Sequence, residues 1–345
     1  MKKSRPLNGT SSQRQPNPIP TSFVPYLASV YGDRMNFVER MMNFGFTWAV
    51  QATRQRWIRS EHHNLVLVSN KVNPGPTMPN MIEIGGAHCR PPKRLPKNLK
   101  TWFDKTGAGN VIFFSMGSAV SSNNFPKQKW QAFVQAFQRV SRTLEVRILL
   151  KWDGQVEELA EDANFLVLPW IPQQDVLGHE KVKLFITHGG LLSSQETTFH
   201  AVPILGIPVG ADQMMNLKRI SDADAGKMLL WGDITTQRLV SDITDVLTDP
   251  KYAKAAKQRS AIMKDREEEP AAKGAFWIEY AIRNHGAPHL RSAGRFLPWY
   301  QYYMLDVYMV IFVAFYLLFF IFKTSILLMI KICGKIVPLL KEKKE

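Results

Sequence analysis

The sequence predicts an α/β fold: a doubly wound parallel sheet with helices on both faces, followed by one C-terminal transmembrane helix. Three observations carry this expectation. Short apolar runs with the composition of buried strands (NVIFF, VRILLKW, FLVLPW, LFIT and PILGIP) alternate with helix-like segments, as crossover-connected parallel strands require. LFIT stops abruptly in His188-Gly189-Gly190 ahead of a polar, helix-like stretch. Residues 307–322 carry no charge, and with the Tyr-rich entry WYQYYML they supply the roughly 20 residues that cross about 30 Å of hydrocarbon.

With 345 residues, of which 45% are hydrophobic and 21% charged, the chain is long enough for about two cored domains. A formal net charge of +15 raises nucleic acid or an anionic membrane surface as partners. Nucleic acid is set aside, because the basic residues are scattered, no nucleic-acid motif is present, and the densest cluster follows the apolar run. Two cysteines, Cys89 and Cys333, exclude a disulfide framework. The first twenty residues are basic, polar and proline-rich, without the apolar core of a secretory signal; Asn8-Gly9-Thr10 is a glycosylation sequon.

Residues 37–60 have the Met, Phe and Trp spacing of an amphipathic helix that belongs to a core or a docking face. His62-His63 reads as a solvated pair, since neighbouring side chains point in different directions. NLVLVSN and MIEIGG read as short strands on either side of a turn-rich segment. The basic, proline-rich stretch that follows, from residue 87, reads as an extended interdomain linker with His88 as a structural residue. The second domain opens with the strand at 110–114 running into Ser115-Met116-Gly117-Ser118, where Ser118 can aim a hydroxyl at a phosphate or sugar. A helix over 129–143 and two further strands follow. Beyond the glycine turn, 216–227 and 236–256 read as helices, and 276–290 as a long late helix.

The densest chemistry lies in residues 170–213, WIPQQDVLGHEKVKLFITHGGLLSSQETTFHAVPILGIPVGADQ. Glycines let the backbone approach a ligand closely, Ser193 and Ser194 can cap the helix, and free amides at a helix N-terminus attract an anion; a diphosphate fits that description. Trp170 follows a strand, and its ring can stack on a flat base. Glu196 is placed within the first turn of the helix. Asp212 and Gln213 fall just beyond the PILGIP strand, where open α/β sheets hold ligands, and together present acceptors and donors to a diol.

This stretch resembles the signature of the UDP-glycosyltransferases, the family that includes the membrane-bound animal glucuronosyltransferases, and the resemblance runs from about Pro16 to the C-terminus. It implies a GT-B type architecture: a truncated N-terminal Rossmann-like acceptor domain over 1–86, a linker over 87–108, a UDP-sugar-binding domain over 109–290, a transmembrane helix over 304–323 and a basic cytosolic tail over 324–345. It implies that Trp170 stacks on uracil, the Ile171 backbone reads the base edge and Gln173 contacts the uridine. His188 and Gly190 would then hold the pyrophosphate, with Ser193 and Ser194 on the α-phosphate and Glu196 on the ribose hydroxyls. Ser118, Asp212 and Gln213 would face the transferred sugar. Where many members have Asn before a small residue, this chain has Leu192-Ser193, so backbone amides replace one side-chain contact.

The resemblance further implies transfer of a hexosyl group, glucuronate or glucose, from a UDP-sugar to a hydroxyl of a small lipophilic acceptor, with inversion. UDP-glucuronate or UDP-glucose is then a substrate; no cofactor is implied, and no metal, since no cluster of His, Cys or carboxylate residues at ligand spacing is present. The family's catalytic histidine and aspartate lie ahead of the matching stretch, so the catalytic residues are unknown here. A non-catalytic, membrane-anchored UDP-sugar binder or regulatory partner, in a homo- or hetero-oligomer with complete relatives, is the alternative, because the matching stretch lacks the catalytic base. The lysines after residue 322 place the tail in the cytosol and the body opposite. The closing KEKKE resembles a dilysine retrieval signal, which implies a single-pass endoplasmic-reticulum membrane protein with a lumenal body.

Overall fold

The computed structural model describes residues 35–44, 66–68, 80–105, 109–117, 125–154, 156, 159, 162–290 and 297–342. The sequon at Asn8, the His62-His63 pair, Ser118 and the final three residues lie outside the described residues. The chain divides into two compact units, Met1–Arg291 and Ser292–Glu345.

In the first unit helix α1 (37–44) covers the described part of the amphipathic stretch expected over 37–60, the rest of which lies outside the described residues, and two parallel strands follow, β1 (Val66–Val68) and β2 (Met81–Glu83), which pair Val66 with Met81. Helix α2 (Lys97–Asp104) falls within the stretch expected to be an extended linker. Leu99, Trp102 and Phe103 recur on one face of it and are buried against the sheet that follows, which is why it is helical rather than extended.

That sheet has six strands: β3 (Val111–Ser115), β4 (Arg147–Lys151), β5 (Phe165–Leu168), β6 (Val182–Thr187), β7 (Ile204–Gly206) and β8 (Gly226–Met228). All five pairings are parallel and the spatial order is β5-β4-β3-β6-β7-β8. The chain therefore winds outward from β3 to one edge, returns to the centre and winds to the other edge, as the expected doubly wound sheet does. The return places a topological switch point between the carboxyl ends of β3 and β6, where such sheets leave a crevice.

Alternation along β3 explains how both faces are buried. Ile112 and Phe114 join a core beneath α3 (Lys127–Leu144) and α7 (Thr236–Thr248). Val111 and Phe113 join the opposite core with α2 and α4 (Gln173–Leu177), where Phe113 stacks on Phe185 at 4.8 Å.

Several boundaries differ from the sequence reading. The helix expected over 216–227 is α6 (Gln213–Asp222), and residues 226–228 form strand β8. The single helix expected over 236–256 is two: α7 ends at Thr248, and α8 (Pro250–Lys264) starts afresh with Asp249 as N-cap, accepting from the Lys251 amide at 2.9 Å. Pro250 has no N–H and suits the first turn of a new helix but not the interior of an old one. The late helix is α9 (Pro270–Arg283), beginning earlier than expected at Pro270 and stopping before residues 288–290, which form a 3-10 turn.

The second unit contains α10 (Trp299–Tyr302) and α11 (Leu305–Glu342). Residues Leu305–Ile332 of α11 are long and apolar enough to cross a membrane, and none of that stretch is buried within the structure. The apolar run thus resumes after Lys323 with ILLMI, and the helix continues without a break through residues 324–342.

Candidate functional site

The crevice at the switch point is built by two backbone turns and one ring. β3 delivers Gly117 at φ +75°, a conformation that side chains rarely adopt, and β6 delivers His188 opposite it. A Cβ on Gly117 would lie 2.5 Å from His188 Cε1, and one on Gly190 would lie 2.8 Å from Nε2, so the imidazole fills the gap between the two glycines. Burial pushes the His188 pKa down; the Asp212 carboxylate works against that shift and the Lys151 ammonium adds to it. The ring is therefore neutral near pH 7 and can donate from one nitrogen only.

Gly189, at φ +78°, has its backbone tight against Leu217, which folds the turn so that α5 (Leu191–Phe199) starts at once. Its N-cap is Gly190, with no side-chain cap, which corrects the expectation that Ser193 and Ser194 cap this helix. The first intrahelical bond is Ser194 N to Gly190 O at 2.9 Å, so the amides of residues 191–193 are the ones left to face an anion. Ser193 and Ser194 then diverge. Ser193 Oγ accepts from Gln173 Nε2 at 3.0 Å, whereas Ser194 turns inward, its hydroxyl buried without a partner. Glu196 stands in the second turn of α5 rather than the first, because the helix starts at Leu191.

Around this turn the carboxyl ends of the other strands bring the remaining side chains. After β5, Trp170 is 69% exposed while Ile171 is buried, so a free indole face stands on a rigid base and Ile171 has only its backbone to offer. On α4, Gln173 Nε2 donates both to Ser193 and to Glu196 Oε2, the latter at 2.6 Å. After β7, the loop before α6 is curled by Gln213, whose Oε1 accepts from the amides of Val209 and Gly210 at 2.7 and 3.0 Å. Gln213 thus keeps only its NH2 group for a ligand. Asp212 opens α6 without capping it through its side chain. Trp170, Ile171, Gln173, His188, Gly190, Ser193, Glu196, Asp212 and Gln213 all lie along one edge of the sheet, the edge formed by the strands' carboxyl ends.

Three residues missed by sequence reasoning belong to the same region. Asn216 is buried and its Nδ2 donates to Gly189 O at 3.1 Å and to Asp212 Oδ2 at 2.8 Å, tying the glycine turn to the carboxylate. Its spacing four residues after Asp212 on a helix was the available signal. Lys151, the last residue of β4, donates from Nζ to Gly117 O at 2.9 Å. His88 reaches Leu192 and Glu196 from the far side of α5. Among the described residues, no three His, Cys, Asp or Glu side chains gather as a metal site.

Fold and site together define a doubly wound α/β protein whose switch point carries a glycine turn, a helix N-terminus and an exposed indole. Residues 61–343 match the family described as UDP-glucoronosyl and UDP-glucosyl transferase, and the chain belongs to that family. It is 35% identical to UDP-glycosyltransferase UGT5 of Dactylopius coccus over 321 residues, covering 86% of this chain and 60% of that protein. To UDP-glucuronosyltransferase 2B14 of Oryctolagus cuniculus it is 33% identical over 313 residues, covering 84% of this chain and 58% of that protein. The chain thus spans about three-fifths of the length of these relatives. Among solved structures, the glycotransferase of kitacinnamycin superposes with a TM-score of 0.50 at 21% identity, over 63% of this chain and 55% of that one. The fold is accordingly the GT-B type that the sequence implied.

Proposed function

We propose that this chain provides the donor-binding part and the membrane anchor of an enzyme that moves a hexosyl group, glucuronate or glucose, from a UDP-sugar to a hydroxyl of a small lipophilic acceptor. The observation that carries this reading is the Gln173 amide, which holds Glu196 on one side and Ser193 on the other, beside an exposed Trp170 and one turn from the free amides of α5. Base, ribose and diphosphate then find a stacking ring, an ionised acceptor and a helix N-terminus in the order in which they occur along a nucleoside diphosphate.

In this reading uracil lies on Trp170 with the Ile171 backbone at its edge, Glu196 accepts the ribose hydroxyls, and the diphosphate lies against Gly190 and the amides of residues 191–193. Ser193 contributes its hydroxyl to the α-phosphate, and Ser194 contributes packing alone. His188, neutral and wedged between Gly117 and Gly190, donates to the diphosphate. As the acceptor hydroxyl displaces UDP with inversion, negative charge grows on the leaving diphosphate, and these fixed donors stabilise it without reorganising. Asp212 and Gln213 face the transferred sugar. The chain carries no assigned catalytic base in this scheme and needs no cofactor.

Helix α11 anchors the protein across the endoplasmic-reticulum membrane, with the body lumenal and the lysine-rich end cytosolic, in a homo- or hetero-oligomer with relatives. Titrating the detergent-solubilised chain with UDP, and measuring UDP release from UDP-glucuronate and UDP-glucose with a phenolic acceptor, tests the reading. Saturable UDP binding that weakens on Trp170→Ala supports it; absence of UDP binding by the folded chain overturns it.

A further inference from the structure

Glu196 is gripped from a side that neither the sheet nor the glycine turn supplies. Residues 86–93 form a strap along α4 and α5. Gly86 N donates to Gln195 Oε1 at 3.2 Å, Arg90 N to Gln174 Oε1 at 3.0 Å, and Gln174 Nε2 returns a bond to His88 O at 3.1 Å. Arg90 Nη1 pairs with Asp175 Oδ1 at 2.5 Å, and Lys93 N donates to that same oxygen at 2.7 Å. In the middle of the strap, His88 Nε2 lies 3.2 Å from the Leu192 carbonyl and 3.7 Å from Glu196 Oε1.

The Leu192 carbonyl belongs to the helical turn that ends at Glu196. A ring bonded to it is therefore fixed relative to the carboxylate. Gln173 donates to Oε2 at 2.6 Å, while the His88 ring, its Nε2 proton taken by the Leu192 carbonyl, stands 3.7 Å from Oε1 and bounds that oxygen by packing rather than by a hydrogen bond. An ionised carboxylate offers about four acceptor sites, and those turned to the crevice stay open.

We propose that His88 is a positioning residue for ribose recognition: with Gln173 it clamps Glu196 so that the open lone pairs meet a vicinal diol. This deepens the reading of Glu196 as the ribose ligand and rests on it. The side chain most concerned with the nucleotide's sugar is thus held in part by the segment that arrives from strand β2. A strap that only braced the fold would not need an imidazole at this point, since Arg90, Gln174 and the backbone already secure it. The specific consequence is selectivity between UDP and 2′-deoxy-UDP, which differ only in the 2′-hydroxyl, one of the pair that Glu196 receives.

The test measures the dissociation constants of UDP and 2′-deoxy-UDP for the full chain in detergent, in the wild type, Glu196→Gln, His88→Ala, His88→Gln and Arg90→Ala. In the wild type UDP binds more tightly than its deoxy analogue. His88→Ala weakens UDP by about three- to tenfold, the range for one lost hydrogen bond, and brings the ratio of the two constants towards that of Glu196→Gln. His88→Gln, which keeps an N–H in reach of Leu192, restores part of the ratio. Arg90→Ala loosens the strap, lowers the melting temperature and leaves the ratio unchanged. An unaltered ratio in His88→Ala, or an equal fall in Arg90→Ala, overturns the role of His88 while leaving the UDP site standing. A wild type that binds UDP without any preference over the deoxy analogue removes the ribose role of Glu196, and the proposal with it.

Discussion

Gly117 and His188 are packed as a pair across the switch point: the glycine has φ +75°, and a Cβ placed on it would meet the imidazole at 2.5 Å. Neither residue can change size without moving the other, and both line the crevice assigned to the diphosphate. Gly117→Ala combines a left-handed backbone, costing on the order of 1–2 kcal/mol, with a direct clash against a buried ring. The expected outcome is a lower melting temperature and a loss of UDP affinity greater than the loss of uridine affinity, read by calorimetric titration of both ligands. Equal losses for the two ligands would place the effect away from the phosphates.

Trp170 offers a cleaner separation of binding from folding. Its ring is 69% exposed, so Trp170→Ala leaves stability within roughly 0.5 kcal/mol of the wild type, as surface substitutions do. UDP and uridine affinity both fall by about 1–3 kcal/mol, the value of one stacked base. Retained uridine affinity in a folded Trp170→Ala variant would remove the stacking role.

Gln173 is half-buried and bonds two members of the site, so Gln173→Ala weakens UDP by roughly tenfold with a small change in melting temperature. Gln173→Glu sets a second carboxylate beside Glu196 and weakens UDP further. Binding of UDP by Gln173→Glu at wild-type strength would show that Glu196 is not held as the ribose acceptor.

Asn216 acts in the interior. Asn216→Leu strands the Gly189 carbonyl and the Asp212 carboxylate, and unfolding by urea is expected to show a loss of about 2–4 kcal/mol. Asn216→Asp puts two carboxylates in contact and lowers the urea midpoint more than Asn216→Leu does.

Acid sensitivity follows from two buried histidines. Burial chiefly pushes the His200 imidazole down from 6.5 to about 4, with Lys264 and Arg90 adding to the shift and Asp175 opposing it; its Nε2 is buried with no partner. His188 moves in the same direction, mainly through burial. A folded-state pKa below that of the unfolded chain means that the unfolded chain binds protons first. The contribution of these groups is complete above about pH 6.5 and is lost as pH falls towards 4. Urea midpoints measured between pH 8 and 4.5 are expected to fall over that interval, with a shallower fall in His200→Gln. An identical slope in that variant would locate the acid sensitivity elsewhere.

Some of this architecture is written in short-range pattern. Five of the six strands of the sheet, the glycine turn after LFIT, the exposed aromatic after FLVL and the uncharged run in α11 are set by residues adjacent in sequence, because pleat period, glycine backbone freedom and hydrocarbon thickness all act locally, whereas the pattern at β8 (Gly226–Met228) reads as the end of a helix. From them the sequence by itself determined a doubly wound sheet, the carboxyl end of it at which open α/β sheets hold ligands, and a membrane-length helix. Boundaries blurred where one residue outweighs a pattern, as Pro250 does in dividing α7 from α8.

What only the tertiary structure decided is which groups meet. Ser193 and Ser194 are neighbours in the chain, yet one hydroxyl bonds Gln173 and the other is sealed in the interior, because a helix turns about 100° per residue and its start, at Leu191 and not two residues later, sets which face each takes. Strand order brings Gly117 against His188, and the path of residues 86–93 over α5 brings His88 to Glu196 across more than a hundred intervening residues. Such contacts depend on positions in space to within a few tenths of an ångström. Pattern in the sequence specifies the elements and their buried faces, and the packing of those faces specifies the distances.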